Sequence, residues 1–369
     1  APLTVQPWVV TLPSLAHGRP ETCSSMSSTT ISAKRRHELI EALERMKDSF
    51  NSYPVDMLAQ AAASLPGHAT VAVAALAVLA LATVGALELL PGGEPDALGA
   101  TTFGLGTVIR HALVHGAQDI VLGLGGSAST DGGAGMLQAL GVTVTDRAGE
   151  HVRPGGTALL QAARVDLSGL LPEARAARFT LACDVDNPLL GPDGAAAVYG
   201  PQKGASPSQV TLLDGALRTW ADVVAEATGT DLRDVPGAGA AGGTGFGAMA
   251  VLGAVARPGV DIVLELADFG GKVAAADLVI TGEGSLDEQS LHGKAPVGVA
   301  SAARAAGVPV IAVAGRSVLT AEQIHAAGFR RALALSEIEP DPARSMANAA
   351  ELLRRIGRSI AGGAAGRLG

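Results

Sequence analysis

The sequence predicts an α/β fold in two domains, at least one of them organised around a parallel sheet, and three observations converge on it. The last hundred residues alternate short apolar runs with amphipathic segments: DLVIT (277 to 281), a helix near 296 to 306, VPVIAVAG (308 to 315), a helix near 321 to 327, RALALS (331 to 336) and a helix from Pro342 to about Ile360. That is a right-handed βαβαβ pattern, whose strands are buried on both faces and therefore read as continuous apolar runs. With 369 residues, 48% hydrophobic and 17% charged, the chain is too apolar for disorder and long enough for two cores. Glycine-rich turns follow several of the strands, as they do where an α/β sheet meets a ligand.

Taken in order, residues 1 to 31 show no periodic pattern, with Pro2, Pro7, Pro13 and Pro20 and the polar run CSSMSSTTIS, and are expected to form a leader without ordered structure. They lack the basic start, continuous apolar stretch and cleavage site of a secretory signal, and the sparse, unpaired cysteine usage leads to the expectation of a reducing cytoplasm. Ser32 caps a helix from Ala33 to about Met46 with an apolar stripe of Leu39, Ile40 and Leu43. Residues 69 to 87 carry no charge over 19 positions, the length of a membrane helix. The run is mostly alanine, has no Lys or Arg flank and ends at Glu88, so a buried strand and helix explain it better. Thr102 to His115 is a helix closed by Gly116, DIVLGL (119 to 124) a strand, and a glycine-rich turn then opens a helix ending near Leu140 and Gly141. VTVT (142 to 145) is a further strand. Ser206, Pro207 and Gln209 supply the cap, first-turn proline and capping box of a long helix to about Ala227, and Thr320 with Gln323 repeats the device.

Composition excludes several functions. Net charge is -8 and the 27 Lys and Arg are scattered, so no electrostatic footprint for a nucleic acid exists. The cysteines, Cys23 and Cys183, are far apart and lack CxxC or histidine spacing, which excludes a disulfide scaffold and a thiolate zinc site. No amphipathic seam indicates an oligomeric state.

Four glycine-rich segments carry the candidate chemistry: GLGGSASTDGGAG (123 to 135), GPQKGA (200 to 205), GAGAAGGTGFG (237 to 247) and TGEGSLDEQSLHGKAP (281 to 296). Glycine at a strand-to-helix turn lets backbone amides approach a phosphate. Acidic residues stand beside these turns: Asp131, Asp184 and Asp186 in LACDVDNPLLG, and Glu283 and Asp287 in GEGSLD. Carboxylates there suit Mg2+ or proton abstraction from an attacking hydroxyl, and equally suit helix capping. His292, Lys294 and Lys203 are the cations placed to meet an anion. A rival reading comes from the same region, since Gly123, Gly125 and Ala128 follow a strand and Asp146 ends the next one, the fingerprint of a nicotinamide dinucleotide site. Against it, Asp131 places negative charge where the diphosphate belongs.

The segments ATTFGLGTVIRHAL (100 to 113), GGSASTDGGAGMLQALG (125 to 141), CDVDNPLLGPDGAAAVYGPQKGA (183 to 205), GAAGGTGFGAMAVLGA (239 to 254) and ADLVITGEGSLDEQSLHGKAPVGVA (276 to 300) together resemble the glycerate kinase family over about residues 96 to 360. The resemblance implies ATP-dependent phosphoryl transfer to a hydroxyl of D-glycerate, with ATP and Mg2+ as cofactors and glycerate as the small-molecule partner, and neither nucleic acid nor membrane. It implies a discontinuous Rossmann-like domain (32 to 95 plus 275 to 369) and an inserted α/β domain (96 to 274) behind the 1 to 31 leader. On that basis Asp184 accepts the hydroxyl proton, and Asp131 and Asp287 are the metal-side or phosphate-side carboxylates, with Asp131 also counted among the catalytic groups. Gly125, Gly126 and Ser127, with Gly282, Glu283, Gly284 and Ser285, cradle anions. Lys294 contacts phosphate, and Asn187 and Lys203 contact substrate; residue type alone leaves these roles exchangeable. The front departs from the family: its DSFKGS-like turn is echoed only by Lys47-Asp48-Ser49-Phe50-Asn51-Ser52, and no DGGEGT-like segment is present. The departure implies impaired turnover, with a homologue that binds nucleotide only as the alternative.

Overall fold

The structure, a computed structural model, describes residues 4–6, 9–13, 94–291 and 295–364, with side chains over 94–291 and 295–362. In chain order the elements are β1 (Thr4–Gln6), β2 (Val9–Pro13), α1 (Phe103–Val114), β3 (Asp119–Gly123), α2 (Ala134–Ala139), β4 (Thr143–Thr145), β5 (Arg164–Asp166), α3 (Pro172–Ala176), β6 (Arg178–Ala182) and α4 (Ala195–Tyr199). They continue with α5 (Pro207–Thr228), α6 (Ala240–Leu252), β7 (Val255–Arg257), α7 (Gly259–Leu266), α8 (Phe269–Val273), β8 (Ala276–Leu286), α9 (Ala295–Ala305), β9 (Val310–Ser317), α10 (Ala321–Ala326), β10 (Arg331–Ala334), α11 (Pro342–Ala347) and α12 (Ala349–Ala364). The expected helix at 33–46 and the apolar run at 69–87 lie outside the described residues, and no described helix is long and apolar enough to cross a membrane.

The described chain divides into two compact units, one ending at Gly259 and the other beginning at Val260 and including β1 and β2. The second unit holds a five-stranded sheet in the order β1-β2-β8-β9-β10, in which β8, β9 and β10 run parallel while β2 is antiparallel to β8 and β1 to β2. Period-two alternation assigns its two faces. Leu278, Ile280, Ile311 and Val313 point to one side, where Leu352, Leu353, Ile356 and Ile360 of α12 cover them. Val279, Val310 and Ala312 point to the other, against Val299, Ala300 and Ala303 of α9 and Phe269 of α8. Helices on both faces explain why these strands read as unbroken apolar runs.

Three expectations change here. Residues 4–6 and 9–13, expected to be a patternless leader, are strands; VVTLP is too short for periodicity to show, and the prolines around it masked its β-branched character. Strand β8 does not stop at Thr281 but runs through Gly282, Glu283, Gly284 and Ser285 to Leu286. Its glycines serve close approach of neighbouring strands, since a Cβ on Gly315 of β9 would lie 2.6 Å from the Gly284 carbonyl oxygen. The C-terminal helix is broken at Asn348 into α11 and α12.

The first unit carries a parallel three-stranded sheet, β3-β6-β7, and a small antiparallel pair, β4-β5. Its core packs Leu122, Leu181, Ile109, Leu137, Phe246 and Trp220, all fully buried or nearly so. Trp220 of α5 donates through Nε1 to the Gly132 carbonyl at 3.0 Å, which ties the long helix to the turn after β3. Both arms of the capping box at the start of α5 are formed, Ser206 N to Gln209 Oε1 at 2.8 Å and Gln209 N to Ser206 Oγ at 3.4 Å.

Candidate active site

The carboxyl ends of β3, β6 and β7 form one edge, where ligands collect in parallel α/β sheets. Gly123 at the end of β3 lies beside Ala182 at the end of β6, which in turn lies beside Arg257 at the end of β7. The turn of residues 124–133 leaves β3 at this edge, and Gly126, Gly132 and Gly133 take positive φ values of 68°, 61° and 75° to let the chain reverse before α2.

Asp131 closes that turn. It is 0% exposed, and its carboxylate accepts from Thr102 N at 2.8 Å, Thr102 Oγ1 at 2.9 Å, Thr101 Oγ1 at 3.0 Å, and Gly133 N and Gly135 N at 3.2 Å. One side chain thus satisfies orphan amides at the starts of both α1 and α2. A carboxylate offers about four lone-pair sites, and five donors saturate them. Asp131 is therefore a structural clamp, and the metal-ligand and catalytic roles expected of it do not fit. Thr101 and Thr102 escaped notice in the sequence because their partner is 29 or 30 residues away; a Thr-Thr pair before a helix signals only a cap.

Lys203 lies behind the same turn. It ends the 3-10 segment Pro201–Lys203, and Gly204, at φ 88°, turns the chain toward α5. The side chain is 1% exposed, with Nζ donating to Ser127 Oγ at 2.9 Å and to the Ser129 carbonyl at 2.5 Å. Burial pushes its pKa down to about 8, and the nearby Asp131 charge opposes that fall. The GAGAAGG run explains how the lysine is accommodated. Ala241, Gly242 and Gly243 adopt left-handed backbone at the start of α6, and a Cβ on Gly242 would lie 2.8 Å from Thr130 Cα and 2.9 Å from Lys203 Nζ. A non-glycine residue at φ 51°, Ala241, is strain held by the surrounding packing. It lines a pocket of about 80 Å³ together with Thr101, Thr102, Gly125, Ser127 and Thr244.

Asp184 follows β6 at the same edge. It is exposed, its Oδ1 accepts from Gly259 N at 2.9 Å at the start of α7, and its Oδ2 accepts nothing among the described residues. One oxygen is fixed and the other open, which suits a group that receives a proton. Asp186, two residues on, is exposed. Asn187 is committed elsewhere, donating to the Asp193 carbonyl at 2.8 Å and accepting from Tyr199 OH at 2.6 Å, so it staples the loop before α4. Cys183 is a free thiol whose pKa is raised by burial.

The dinucleotide reading loses its geometry in this region. Helix α2 begins only at Ala134, six positions after Ala128, and Asp131 already fills its start. Asp146 follows a strand, β4, that pairs antiparallel with β5, outside the sheet of β3, and its carboxylate accepts from Ala148 N and Glu150 N at 2.9 Å to shape a turn.

In the other unit, the carboxyl end of β8 bears the second set of expected residues. Gly282, Glu283 and Ser285 pair with Val313, Ala314 and Arg316 of β9. Extended residues point their amides alternately to opposite sides, so Gly282 to Ser285 do not form the convergent cradle that a turn would. Ser285 Oγ instead accepts from Arg316 Nε at 2.9 Å, an exposed guanidinium that the sequence reading missed and whose signal was a cation directly after the VIAVAG strand. Asp287 receives Ser290 N at 3.2 Å and, at 3.4 Å, the hydroxyls of Ser285 and Ser290. His292 and Lys294 lie outside the described residues. No group of three or more His, Cys, Asp and Glu placed to hold a metal ion occurs among the described residues.

A family model described as "Glycerate kinase family" matches residues 43–364, reaching further toward the front than the motifs quoted above. The chain is 45% identical over 288 residues to a glycerate kinase of Bacillus subtilis, covering 77% of this chain and 75% of that protein. It is 43% identical over 286 residues to a glycerate kinase of Halalkalibacterium halodurans, covering 78% and 75%. The crystal structure of a putative glycerate kinase 2 from Salmonella typhimurium LT2 superposes with a TM-score of 0.65 at 40% identity, over 77% of this chain and 74% of that one.

Proposed function

The chain belongs to the glycerate kinase family, and from that premise we propose that it transfers the γ-phosphoryl group of ATP to a hydroxyl of D-glycerate. The observation that carries the mechanism is Asp184: an exposed carboxylate held through Oδ1 by Gly259 N, at the strand edge beside the Gly125-Gly126-Ser127 turn. Phosphoryl transfer demands little covalent chemistry from the protein and much positioning and charge stabilisation. Asp184 orients the acceptor hydroxyl and takes its proton through the open Oδ2. The turn at 125–127, with Lys203 behind it, binds an anionic group of a substrate.

ATP enters as its Mg2+ complex, so the metal is brought as part of a substrate. The nucleotide side is assigned to the carboxyl end of β8. Arg316 offers its guanidinium donors to phosphate oxygens there, with Ser285 holding its Nε, and Gly282, Glu283 and Gly284 line the strand end. Asp287 supplies a hard oxygen donor of the kind Mg2+ prefers, and Lys294 in the adjoining segment is assigned to phosphate. The saturated carboxylate of Asp131 has no such part.

The test is ADP release by the purified chain from MgATP and D-glycerate, for the parent and for Asp184→Asn. The variant is expected to turn over about 10² to 10⁴ times more slowly while unfolding at the same denaturant concentration. Equal rates would reduce Asp184 to a cap of α7. An equal loss in Asp186→Asn alone would move the role two positions along.

A further inference from the structure

The turn after β3 does more than attract negative charge in general. Resting on the kinase reading above, the geometry points to the pocket beneath Gly125 and Ser127 as the seat of the acceptor's carboxylate, with the Ser127 hydroxyl as its donor and Lys203 as the residue that positions that hydroxyl.

Direction of donation is the first argument. An ammonium can only donate, so at 2.9 Å the Ser127 oxygen must be the acceptor, and its own proton is turned away from Lys203. Ser127 lines the pocket and is half-buried, so the freed O–H is left to donate there, polarised by the cation behind it. Two of the three ammonium protons are matched, by Ser127 Oγ and the Ser129 carbonyl.

Charge is the second argument. Lys203 is 1% exposed, and the charged group that acts on it, Asp131, has spent its lone pairs on five donors at the two helix starts. A buried cation without a hydrogen-bonded counter-ion is costly, and a bound monoanion completes the pair. The lining, including Thr101, Thr102, Gly125, Ala241 and Thr244, contains no charged side chain that would repel or compete.

Size is the third argument. About 80 Å³ is the volume of about three waters at about 30 Å³ each, which seats the carboxylate end of a small hydroxy acid and not a nucleotide base and sugar. One cation acting through one hydroxyl matches one carboxylate, whereas a triphosphate carries several negative charges. Discrimination against an uncharged isostere follows, because the isostere leaves the cation uncompensated.

The experiment is calorimetric titration of the full chain with D-glycerate, with its amide glyceramide, and with MgATP, for the parent, Ser127→Ala, Ser127→Thr and Lys203→Met. D-glycerate is expected to bind about 10- to 100-fold more weakly to Ser127→Ala and Lys203→Met, the usual value of a charge-assisted hydrogen bond. Glyceramide and MgATP should change by less than about 2-fold, and Ser127→Thr, which keeps the hydroxyl, should retain most of the parent affinity. Ser127→Ala removes one exposed-side oxygen and keeps the test open should Lys203→Met fail to fold. Unchanged D-glycerate affinity in Ser127→Ala, or a loss confined to MgATP, overturns the assignment, as does a parent that does not prefer D-glycerate to its amide. A parent that binds D-glycerate through Ser127 yet releases no ADP sustains the pocket and overturns the kinase reading. ADP release with an unaltered KM for glycerate in Ser127→Ala does the reverse.

Discussion

Lys203 makes a stability prediction whose sign follows from its burial. In the unfolded chain its ammonium titrates near 10.5, and in the fold near 8. Between those values the unfolded state holds the proton and the folded state has released it. Stability therefore rises with pH across that window, and the full penalty for burying the charge is carried below pH 8. A difference of about 2.5 pH units at about 1.36 kcal/mol each is about 3 kcal/mol. Asp131, the charged group that acts on it, opposes the fall without cancelling it. Lys203→Met removes the titration, so the unfolding free energy of the parent minus that of the variant should climb by about 3 kcal/mol from pH 8 to 10.5. Other alkaline titrations are common to both proteins and cancel in the difference. At pH 7.5 the two should lie closer together, because the methionine forfeits the bonds to Ser127 and Ser129 but also escapes the desolvation of a cation. Urea unfolding followed by tryptophan fluorescence is the measurement, since Trp220 is fully buried beside Gly132. A difference that stays flat from pH 7.5 to 10.5 would show that the ammonium is not desolvated as its surroundings require.

Two further expectations concern the clamp and the turn that face this lysine. Asp131→Ala leaves Thr102 N, Gly133 N and Gly135 N without their acceptor at the starts of two helices, and should lower stability by about 3 kcal/mol or more, with the loss visible as a lower urea midpoint at unchanged slope. A fall below about 0.5 kcal/mol would mean that water replaces the carboxylate and that Asp131 is free for other work. Gly242→Ala places a methyl against the Ser129 carbonyl and Thr130 at a φ of 66°, so it should destabilise the fold and weaken D-glycerate binding together; an unaltered midpoint would contradict the packing around Lys203.

What the sequence discloses and what it hides separate along physical lines. Local devices are legible: Ser206 with Gln209 and Thr320 with Gln323 announce helix starts because the bonds they make span three residues, and all four arms form. The parallel strands at 278–280 and 310–313 are legible because helices cover both faces. Asp131 is misjudged because nothing within ten residues of it reveals that Thr101 and Thr102 will donate to it. Gly282 and Gly284 mislead for a different reason: glycine marks both a turn and a place where two strands approach closely, and only the partner, Gly315, tells which. Lys203 is picked out by its rarity and its glycine-rich setting, but its burial depends on α6 beginning with left-handed residues, which no local pattern specifies. Arg316 is missed because a cation after a strand has many ordinary uses.

The fate of Asp131 also explains why a lysine is needed at all. Nucleotide folds of the fingerprint type bind an anion at the bare start of the helix that follows the first strand, where unpaired amides and the helix dipole supply the positive potential. In this chain that start is occupied from within. Gly133 N and Gly135 N already donate to Asp131, and α2, at six residues, has little dipole to offer. An anion approaching the same turn meets a fixed negative charge rather than a positive helix end, and at an effective dielectric of 20 a pair of like charges 4 Å apart costs about 4 kcal/mol. Binding there requires an opposing cation on the far side of the turn, close enough to outweigh Asp131 and presented through a neutral donor so that it need not itself be solvated. Lys203 behind Ser127 meets both conditions. The acid and the lysine are thus one arrangement: exchanging Asp131 for asparagine should strengthen anion binding at the Ser127 turn even as it weakens the fold, and a loss of D-glycerate affinity in Asp131→Asn under conditions where the protein remains folded would refute that electrostatic account.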